Sequence, residues 1–137
     1  MSIKIIKQYS VFLPNESGSL KNFSELFVRS GINIMAISQG LRYDAAIIHI
    51  AVDAQDNDEI SHLITKAGFT TVRTDAIALE MGDKIGVIHD VAAVLADEGI
   101  NITSIYGSVS TGCSSIVVLV VNDIPRAVAA LEKSGKF

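Results

Sequence analysis

The chain contains the four-residue segment Gly-Ile-Asn-Ile twice, at residues 31–34 and again 68 positions later at residues 99–102. Gly18 and Gly86 are separated by the same interval. Hydrophobic residues keep this interval at further pairs of positions: Leu20 with Ile88, Leu26 with Val94, Phe27 with Leu95, and Ile37 with Ile105. The constant interval indicates an internal duplication, in which one structural unit occurs twice in the chain. A duplicated domain has an interface between its copies, and such interfaces commonly bind ligands.

The length of 137 residues accommodates two units of roughly 70 residues. Units of this size are marginally stable alone, so the two copies are expected to pack together or to share a sheet. We place the predicted domains at residues 1–72 and 73–137. Hydrophobic residues make up 49% of the chain, which predicts a large sheet and a homodimer interface.

Charge and hydropathy argue against nucleic-acid binding and membrane insertion. The net charge is −4, and the chain has no cluster of Lys and Arg of the kind that nucleic-acid binding requires. The longest apolar runs, such as residues 116–121, are far shorter than the roughly 20 residues of a spanning helix. The N-terminus lacks a signal-peptide core, and the single cysteine, Cys113, excludes an intrachain disulfide. We therefore expect a cytoplasmic protein.

Hydrophobic periodicity predicts the same order of elements, βαββαβ, in each half. In the first half, strands are predicted at residues 3–11, 32–42, 45–52 and 69–74, and helices at residues 20–30 and 56–67. In the second half, strands are predicted at residues 76–81, 102–110 and 114–121, and helices at residues 85–98 and 124–134. Only two residues follow Gly135, so the fourth strand of the second half is almost missing.

A βαββαβ unit folds most simply as an antiparallel sheet with both helices on one face and strand order 4-1-3-2. The predicted fold class is therefore α+β, with two ferredoxin-like βαββαβ units. We expect the fourth strand of the first half to fill the missing place in the second half, by a tight reversal near residues 73–75. Alternatively, the natural sequence continues beyond Phe137, or a partner chain supplies the strand.

Residues 15–20, followed by a predicted helix and the first Gly-Ile-Asn-Ile segment, resemble the signature of the ACT domain. Residues 83–88 and the second Gly-Ile-Asn-Ile segment repeat this pattern, so the resemblance covers essentially the whole chain as a tandem pair. The resemblance implies binding of a free amino acid, or a similar small metabolite, where two domains meet. ACT domains commonly regulate enzymes of amino-acid metabolism, so such an enzyme is an implied partner.

The family's ligand site is usually lined by the loop before the first helix and by the early part of the second strand. This implies a ligand-binding role for residues of both halves: Asn15, Glu16, Ser17, Gly18, Ser19, Leu20, Asn33, Gln39, Asp83, Ile85, Gly86, Val87 and Asn101. Gln39 matches a strand-two glutamine that contacts the ligand in some tandem ACT domains of aspartate kinases.

Elementary chemistry agrees with these assignments. Gly18 allows a sharp turn and a close approach of the backbone to a ligand. The N–H groups at the start of the following helix favour a carboxylate, and the Asn15 side chain offers both a donor and an acceptor. We expect the first-half loop to hold the carboxylate and Asp83 to hold the ammonium group if the two loops converge.

The sequence departs from the family pattern at several positions. Ser17 and Ile85 occupy the position before the glycine where the family often has proline. Leu13 occupies the position where some serine-sensing members have histidine, so serine specificity by that route is not expected. Because Asp83 replaces the asparagine found at position 15, the two loops are not equivalent.

Each site residue also has a purely structural interpretation. Gly18 and Gly86 are suited to a strand-to-helix turn, and Asn15 to a local Asx turn. Asn33 and Asn101 are suited to backbone hydrogen bonds at the entry of a strand. Gln39 is equally consistent with an exposed strand residue.

No catalytic or metal-binding arrangement is predicted, and no cofactor is implied. His49 lies in an apolar strand and is expected to be structural, whereas His62 and His89 have no partner at metal-ligand spacing. Cys113 has no identifiable base beside it.

The leading hypothesis is a non-catalytic regulatory protein, in which ligand binding stabilises one arrangement of domains or subunits. One alternative is an interaction module that docks on a metabolic enzyme without a small ligand. Another is a small ferredoxin-like enzyme, although a fold alone implies no activity.

Overall fold

The computed structural model describes residues 2–42, 44–52, 58–82, 84–107 and 115–136. In these ranges the chain forms six strands and four helices. Their order is β1 (Ser2–Pro14), α1 (Ser19–Ser30), β2 (Ala36–Arg42), β3 (Ala45–Val52), α2 (Asp58–Lys66), β4 (Thr70–Met81), α3 (Val87–Asp97), β5 (Ile102–Gly107), β6 (Ser115–Val121) and α4 (Ile124–Ser134).

Two compact units are present. The N-terminal unit consists of Ile6–Thr74, and the C-terminal unit consists of Met1–Ile5 together with Asp75–Phe137. Both boundaries fall inside long strands, so β1 and β4 each contribute residues to both units.

In the N-terminal unit the strands lie in the order β2-β3-β1-β4, which is the predicted order 4-1-3-2. Strands β1 and β2 both pair antiparallel with β3. Alternate residues of β1 and β3 face the amphipathic helices α1 and α2, and this alternation concentrates the apolar side chains on one face. The resulting core consists of Tyr9, Val11, Leu13, Phe23, Phe27, Ala46, Ile48, Ile50, Val52, Ile60 and Ile64.

The C-terminal unit has the strand order β1-β4-β6-β5, with α3 and α4 contributing to its core. Strands β4 and β5 both pair antiparallel with β6. The core consists of Ile77, Leu79, Met81, Val91, Leu95, Ile100, Val117, Leu119, Val121, Ala127 and Leu131. Together, the two units confirm the α+β class and the ferredoxin-like arrangement of the elements.

The first residues of the chain take the place predicted for the missing fourth strand of the C-terminal unit. Ile3 packs against the core of this unit, and Ser2 Oγ donates a hydrogen bond to Glu80 Oε2 at 3.4 Å. The predicted tight reversal near residues 73–75 is wrong, because β4 runs without interruption from Thr70 to Met81. No glycine or proline lies between Gly68 and Gly82, so nothing in the sequence ends the strand there.

The Gly-Ile-Asn-Ile segments end the first helix of each unit. Gly31 adopts a φ of 66°, and the N–H of Ile32 donates to the carbonyl oxygen of Phe27 at 3.0 Å. Ile100 N–H donates in the same way to Leu95 O at 2.9 Å. These hydrogen bonds are typical of an α-helix that ends at a glycine in the left-handed backbone conformation. The predicted strand at residues 32–42 therefore starts later, at Ala36.

Several predictions fall on residues outside the described ranges, among them Asp83, Cys113 and the predicted ends of the hairpin at residues 108–110 and 114. In the part of the chain that is described, no helix is both long enough and apolar enough to cross a membrane.

Candidate functional site

The start of α1 is open to an incoming group. Gly18, which precedes the helix, has a φ of 89°, and no side chain caps the helix. The N–H of Asn22 donates to Gly18 O at 3.0 Å, which closes the first helical turn. The first N–H groups of a helix have no acceptor within the helix. The N–H of Ser19 donates to Glu16 O at 3.3 Å, which leaves the N–H groups of Leu20 and Lys21 to bind an anionic group.

A cavity of about 210 Å³ lies at this helix start, and we call it the N-terminal cavity. Its lining consists of Leu13, Pro14, Asn15, Glu16, Gly18, Ser19, Leu20, Lys21, Gln39 and Ala46. Six of these residues belong to the predicted ligand site: Asn15, Glu16, Gly18, Ser19, Leu20 and Gln39. The loop, the helix start and β2 thus bring these six residues together.

Strand register explains how Gln39 reaches the cavity. Gln39 pairs with Ile48 of β3, a core residue, and directly paired residues of antiparallel strands point to the same face. Gln39 therefore projects on the face that carries α1, although its own side chain is exposed.

Four lining residues were not predicted as ligand-binding from the sequence: Leu13, Pro14, Lys21 and Ala46. A signal for Lys21 existed, because it lies three residues after Gly18 in the first helical turn. Ala46 lies opposite Leu13 in the pairing of β1 with β3, and this pairing is a long-range property that local patterns do not show.

The N-terminal cavity carries groups of both charge signs. Glu16 supplies a carboxylate and Lys21 an ammonium group, which lies 3.9 Å from Glu25 Oε1 on the following turn. The side chains of Asn15 and Gln39 make no hydrogen bond within the described part of the chain. Asn15 thus does not form the Asx turn considered above; the local bond runs from Glu16 N–H to Pro14 O at 2.9 Å.

A second cavity, of about 160 Å³, lies at the start of α3, and we call it the C-terminal cavity. It is lined by Met81, Gly82, Lys84, Gly86, Val87, Ile88, His89, Ser115 and Val117. Of the predicted site residues, Gly86 and Val87 lie here. Ile85 is fully exposed and is not part of the lining.

The remaining predicted residues are exposed and line neither cavity: Ser17, Asn33 and Asn101. The backbone of Asn101 instead bonds to Asn122, whose Oδ1 accepts from Asn101 N–H at 3.1 Å. A third groove, of about 360 Å³, lies between the end of α1 and α2 and contains none of the predicted residues.

His49 is half-buried on β3, and its Nδ1 lies 2.8 Å from Ser10 Oγ. Burial lowers the pKa of His49 below its ordinary value. Within the described ranges, no group of three or more His, Cys, Asp or Glu side chains could hold a metal ion.

Solved structures with the same fold are known. A protein from Bacteroides thetaiotaomicron superposes with a TM-score of 0.85 at 23% identity, covering 96% of this chain and 90% of that one. The regulatory subunit of aspartate kinase from Thermus thermophilus, in its ligand-free form, gives a TM-score of 0.72 at 14% identity, with 99% and 98% coverage. The regulatory subunit of aspartate kinase from Thermus flavus gives a TM-score of 0.66 at 16% identity, and the match covers 96% of this chain and 94% of that one. No curated protein matches.

The protein thus consists of ferredoxin-like units, and each unit has a cavity at the start of its first helix. Residues 76–135 match the sequence model of the ACT domain. Over these residues the match confirms the resemblance of the sequence motifs to the ACT domain.

Proposed function

We propose that this protein is a non-catalytic regulatory protein that binds a free amino acid in the N-terminal cavity. The observation that carries this proposal is the set of groups around one small cavity: the open start of α1, Lys21, Glu16, and the amides of Asn15 and Gln39.

A free α-amino acid needs donors for its carboxylate and an acceptor for its ammonium group. The N–H groups at the start of α1 and the Lys21 ammonium supply the donors, and the helix dipole favours the negative charge there. The Glu16 carboxylate and the side-chain oxygens of Asn15 and Gln39 supply the acceptors.

The size and the lining of the N-terminal cavity indicate which class of ligand fits it. The volume of about 210 Å³ lies below the range of roughly 300–1,000 Å³ that is usual for drug-sized ligands, so a small metabolite fits better. Leu13, Leu20 and Ala46 offer an apolar wall for an aliphatic portion of the ligand. The favoured ligand is thus a small amino acid.

Regulation would follow from linkage. A ligand that binds one arrangement of domains or subunits more tightly shifts the population toward that arrangement, with a typical coupling of about 1–3 kcal/mol. Because the structural neighbours include proteins named as regulatory subunits of aspartate kinase, an aspartate kinase is the first enzyme to test as a partner.

A homodimer is part of this proposal. Strand β2 lies at the edge of the N-terminal unit and exposes Ile37 and Leu41, which are 48% and 63% accessible. An edge strand with exposed apolar side chains favours pairing with another chain. Light scattering coupled to gel filtration should give twice the chain mass at micromolar concentration, and a monomer mass would contradict this part of the proposal.

The same exposed edge favours a second candidate function, a module that docks on an enzyme without any small ligand. A thermal-shift screen against the twenty amino acids separates the two candidates, because a ligand that binds the native state raises the melting temperature as its concentration increases. Amino-acid binding predicts a dose-dependent rise for one or a few amino acids. Flat curves for all twenty at millimolar concentration would favour docking.

A matched pair of variants locates the site. Asn15→Ala should reduce the stabilisation by the best amino acid, since it removes a cavity amide. Asn22→Ala removes an exposed amide of α1 that does not line the cavity, and it should retain the stabilisation. Equal effects of the two changes would place the ligand elsewhere.

A further inference from the structure

The groove between the end of α1 and α2, which we call the α1–α2 groove, has a volume of about 360 Å³. Its four residues from α2 occupy positions i, i+3, i+4 and i+7, so they lie on one face of that helix. Glu59 and Lys66, the first and the last of them, are about 10 Å apart along the helix axis. The complete lining is Ser30, Ile32, Glu59, His62, Leu63 and Lys66.

The second helices of the two units, α2 and α4, correspond at an interval of 67 residues. The glycines that follow them, Gly68 and Gly135, both adopt positive φ values and keep this interval. Glu59 of α2 therefore corresponds to Arg126 of α4. The buried residues of the two helices also keep the interval: Ile60 with Ala127, and Ile64 with Leu131.

Arg126 brings a guanidinium group to the end of the first helix of the C-terminal unit. Its Nη2 donates a hydrogen bond to the carbonyl oxygen of Glu98 and lies 4.0 Å from Glu98 Oε2. The last carbonyl oxygens of a helix have no donor within the helix, and the helix dipole makes this end partially negative, so it attracts a cation. In the C-terminal unit, the chain itself supplies this cation.

The N-terminal unit has a carboxylate at the equivalent position. Glu59 replaces Arg126, and Ser30 at the end of α1 corresponds to Glu98. Because Arg126 reaches Glu98, the same geometry places the Glu59 carboxylate at the end of α1, where both residues line the groove. This part of the α1–α2 groove therefore combines a negative side chain with the negative end of a helix, which favours an incoming cation.

The rest of the groove suits an aliphatic chain that carries a carboxylate. Ile32 and Leu63 are half-buried and provide apolar surface. The Lys66 ammonium group and a ring N–H of His62 are donors for a carboxylate at the other end of the same helix face. Asp58 does not line the groove, and its Oδ1 lies 3.0 Å from Arg73 Nη1.

We propose that the α1–α2 groove binds a small carboxylate that carries a guanidinium or ammonium group at the far end of an aliphatic chain. Glu59 and the carbonyl oxygens at the end of α1 bind the cation, Ile32 and Leu63 contact the chain, and Lys66 binds the carboxylate. The ligand thus supplies to α1 the cation that Arg126 supplies to α3. This site is separate from the N-terminal cavity and does not depend on the proposed function.

The test is a titration of full-length protein with isotopically labelled methyl groups, followed by NMR. The probes are γ-guanidinobutyrate, δ-aminovalerate, butylguanidine and butyrate, which remove the carboxylate or the cation one at a time. The proposal predicts saturable shifts of the Ile32 and Leu63 methyl signals, with tighter binding of the two zwitterions than of butylguanidine or butyrate. The tighter zwitterion identifies the preferred cation. If neither zwitterion saturates these signals, or if neither binds more tightly than butyrate, the proposal is overturned.

Variants of Glu59 test the cation end of the groove. Glu59→Arg should weaken binding of γ-guanidinobutyrate roughly tenfold or more, because a charged hydrogen-bond partner is replaced by a like charge. Glu59→Gln, which preserves the shape of the side chain, should also weaken it. Glu132→Arg makes the same charge change at an exposed position of α4 and should leave the affinity unchanged. Unaltered affinity in both Glu59 variants would refute the assignment.

Lys66→Ala tests the carboxylate end. It should weaken binding of γ-guanidinobutyrate several-fold and leave binding of butylguanidine unchanged, since only the first probe has a carboxylate. Lys133→Ala, at the equivalent position of α4, is the control and should change neither affinity. Equal losses for the two probes in Lys66→Ala would contradict the proposed contact.

The same protein samples separate this proposal from the proposed function. Amino-acid binding in the N-terminal cavity would shift the amide signals of Gly18 and Leu20, whereas a ligand in the α1–α2 groove would shift the methyl signals described above. Asn15→Ala should leave binding of γ-guanidinobutyrate unchanged, and Glu59→Gln should leave amino-acid binding unchanged. Each proposal can therefore fail while the other survives.

Discussion

Gly107 of β5 lies so close to Ile116 of β6 that a Cβ atom added to it would stand 2.5 Å from the Ile116 carbonyl oxygen. The equivalent position in the first half is Gln39, which lines the N-terminal cavity. No larger side chain fits at position 107 without movement of the β6 backbone. A glutamine equivalent to Gln39 therefore does not fit at this position of the second half.

Replacing Gly107 should therefore destabilise the protein. Gly107→Ala is expected to lower the free energy of unfolding by about 1–3 kcal/mol, the usual cost of overpacking. Gly40→Ala in β2 is the matched control, because a Cβ there meets nothing within 4 Å, and its effect should stay within about 0.5 kcal/mol. Urea denaturation of both variants gives the comparison, and equal losses of stability would contradict it.

Gly18 should be hard to replace for a conformational reason. Its φ of 89° is a backbone conformation that side chains with a Cβ rarely adopt, although the space around it is open. Gly18→Ala should cost about 1–2 kcal/mol of unfolding free energy. Gly82→Ala, at a glycine with open space and no positive φ, should cost clearly less. Comparable costs would show that the turn before α1 tolerates a side chain.

His49 should make the stability depend on pH. Burial lowers its pKa in the folded protein, so the unfolded chain takes up a proton first as the pH falls through about 6.5. Protonation then favours unfolding, and stability should decrease from pH 7 to pH 5. His49→Gln should lose less stability than the wild type over this range. Thermal unfolding across the range measures this, and parallel curves for the two proteins would contradict it.

Much of the fold was predictable because its signals are local. Gly31 and Gly68 end helices by adopting positive φ values, and Asp123 caps α4 by accepting a hydrogen bond from Arg126 N–H at 3.2 Å. The uninterrupted β4 was missed, since the repeat suggested a domain boundary where the chain has no turn residue. The role of residues 2–5 was missed because it depends on a long-range pairing within the C-terminal unit.

The candidate site was predictable to a different degree at each position. Asn15 and Gly18 follow from the loop motif, and Gln39 follows from the resemblance to the ACT domain. Ser115 gave no signal in the sequence, because a serine at the end of an apolar run is ordinary. Its place in the wall of the C-terminal cavity follows from its pairing with Met81 of β4, a long-range relationship that local patterns do not show.

The central claim is that the N-terminal cavity binds a free amino acid, and isothermal titration calorimetry tests it most directly. The amino acid that stabilises the wild type best is titrated into the wild type and into Gln39→Ala, with Asn22→Ala as the control. The account predicts saturable binding that weakens roughly fivefold or more in Gln39→Ala, as expected for a lost hydrogen bond of about 1 kcal/mol, and that persists in Asn22→Ala. Saturable binding with the same affinity in all three proteins, or no binding of any of the twenty amino acids, would contradict it.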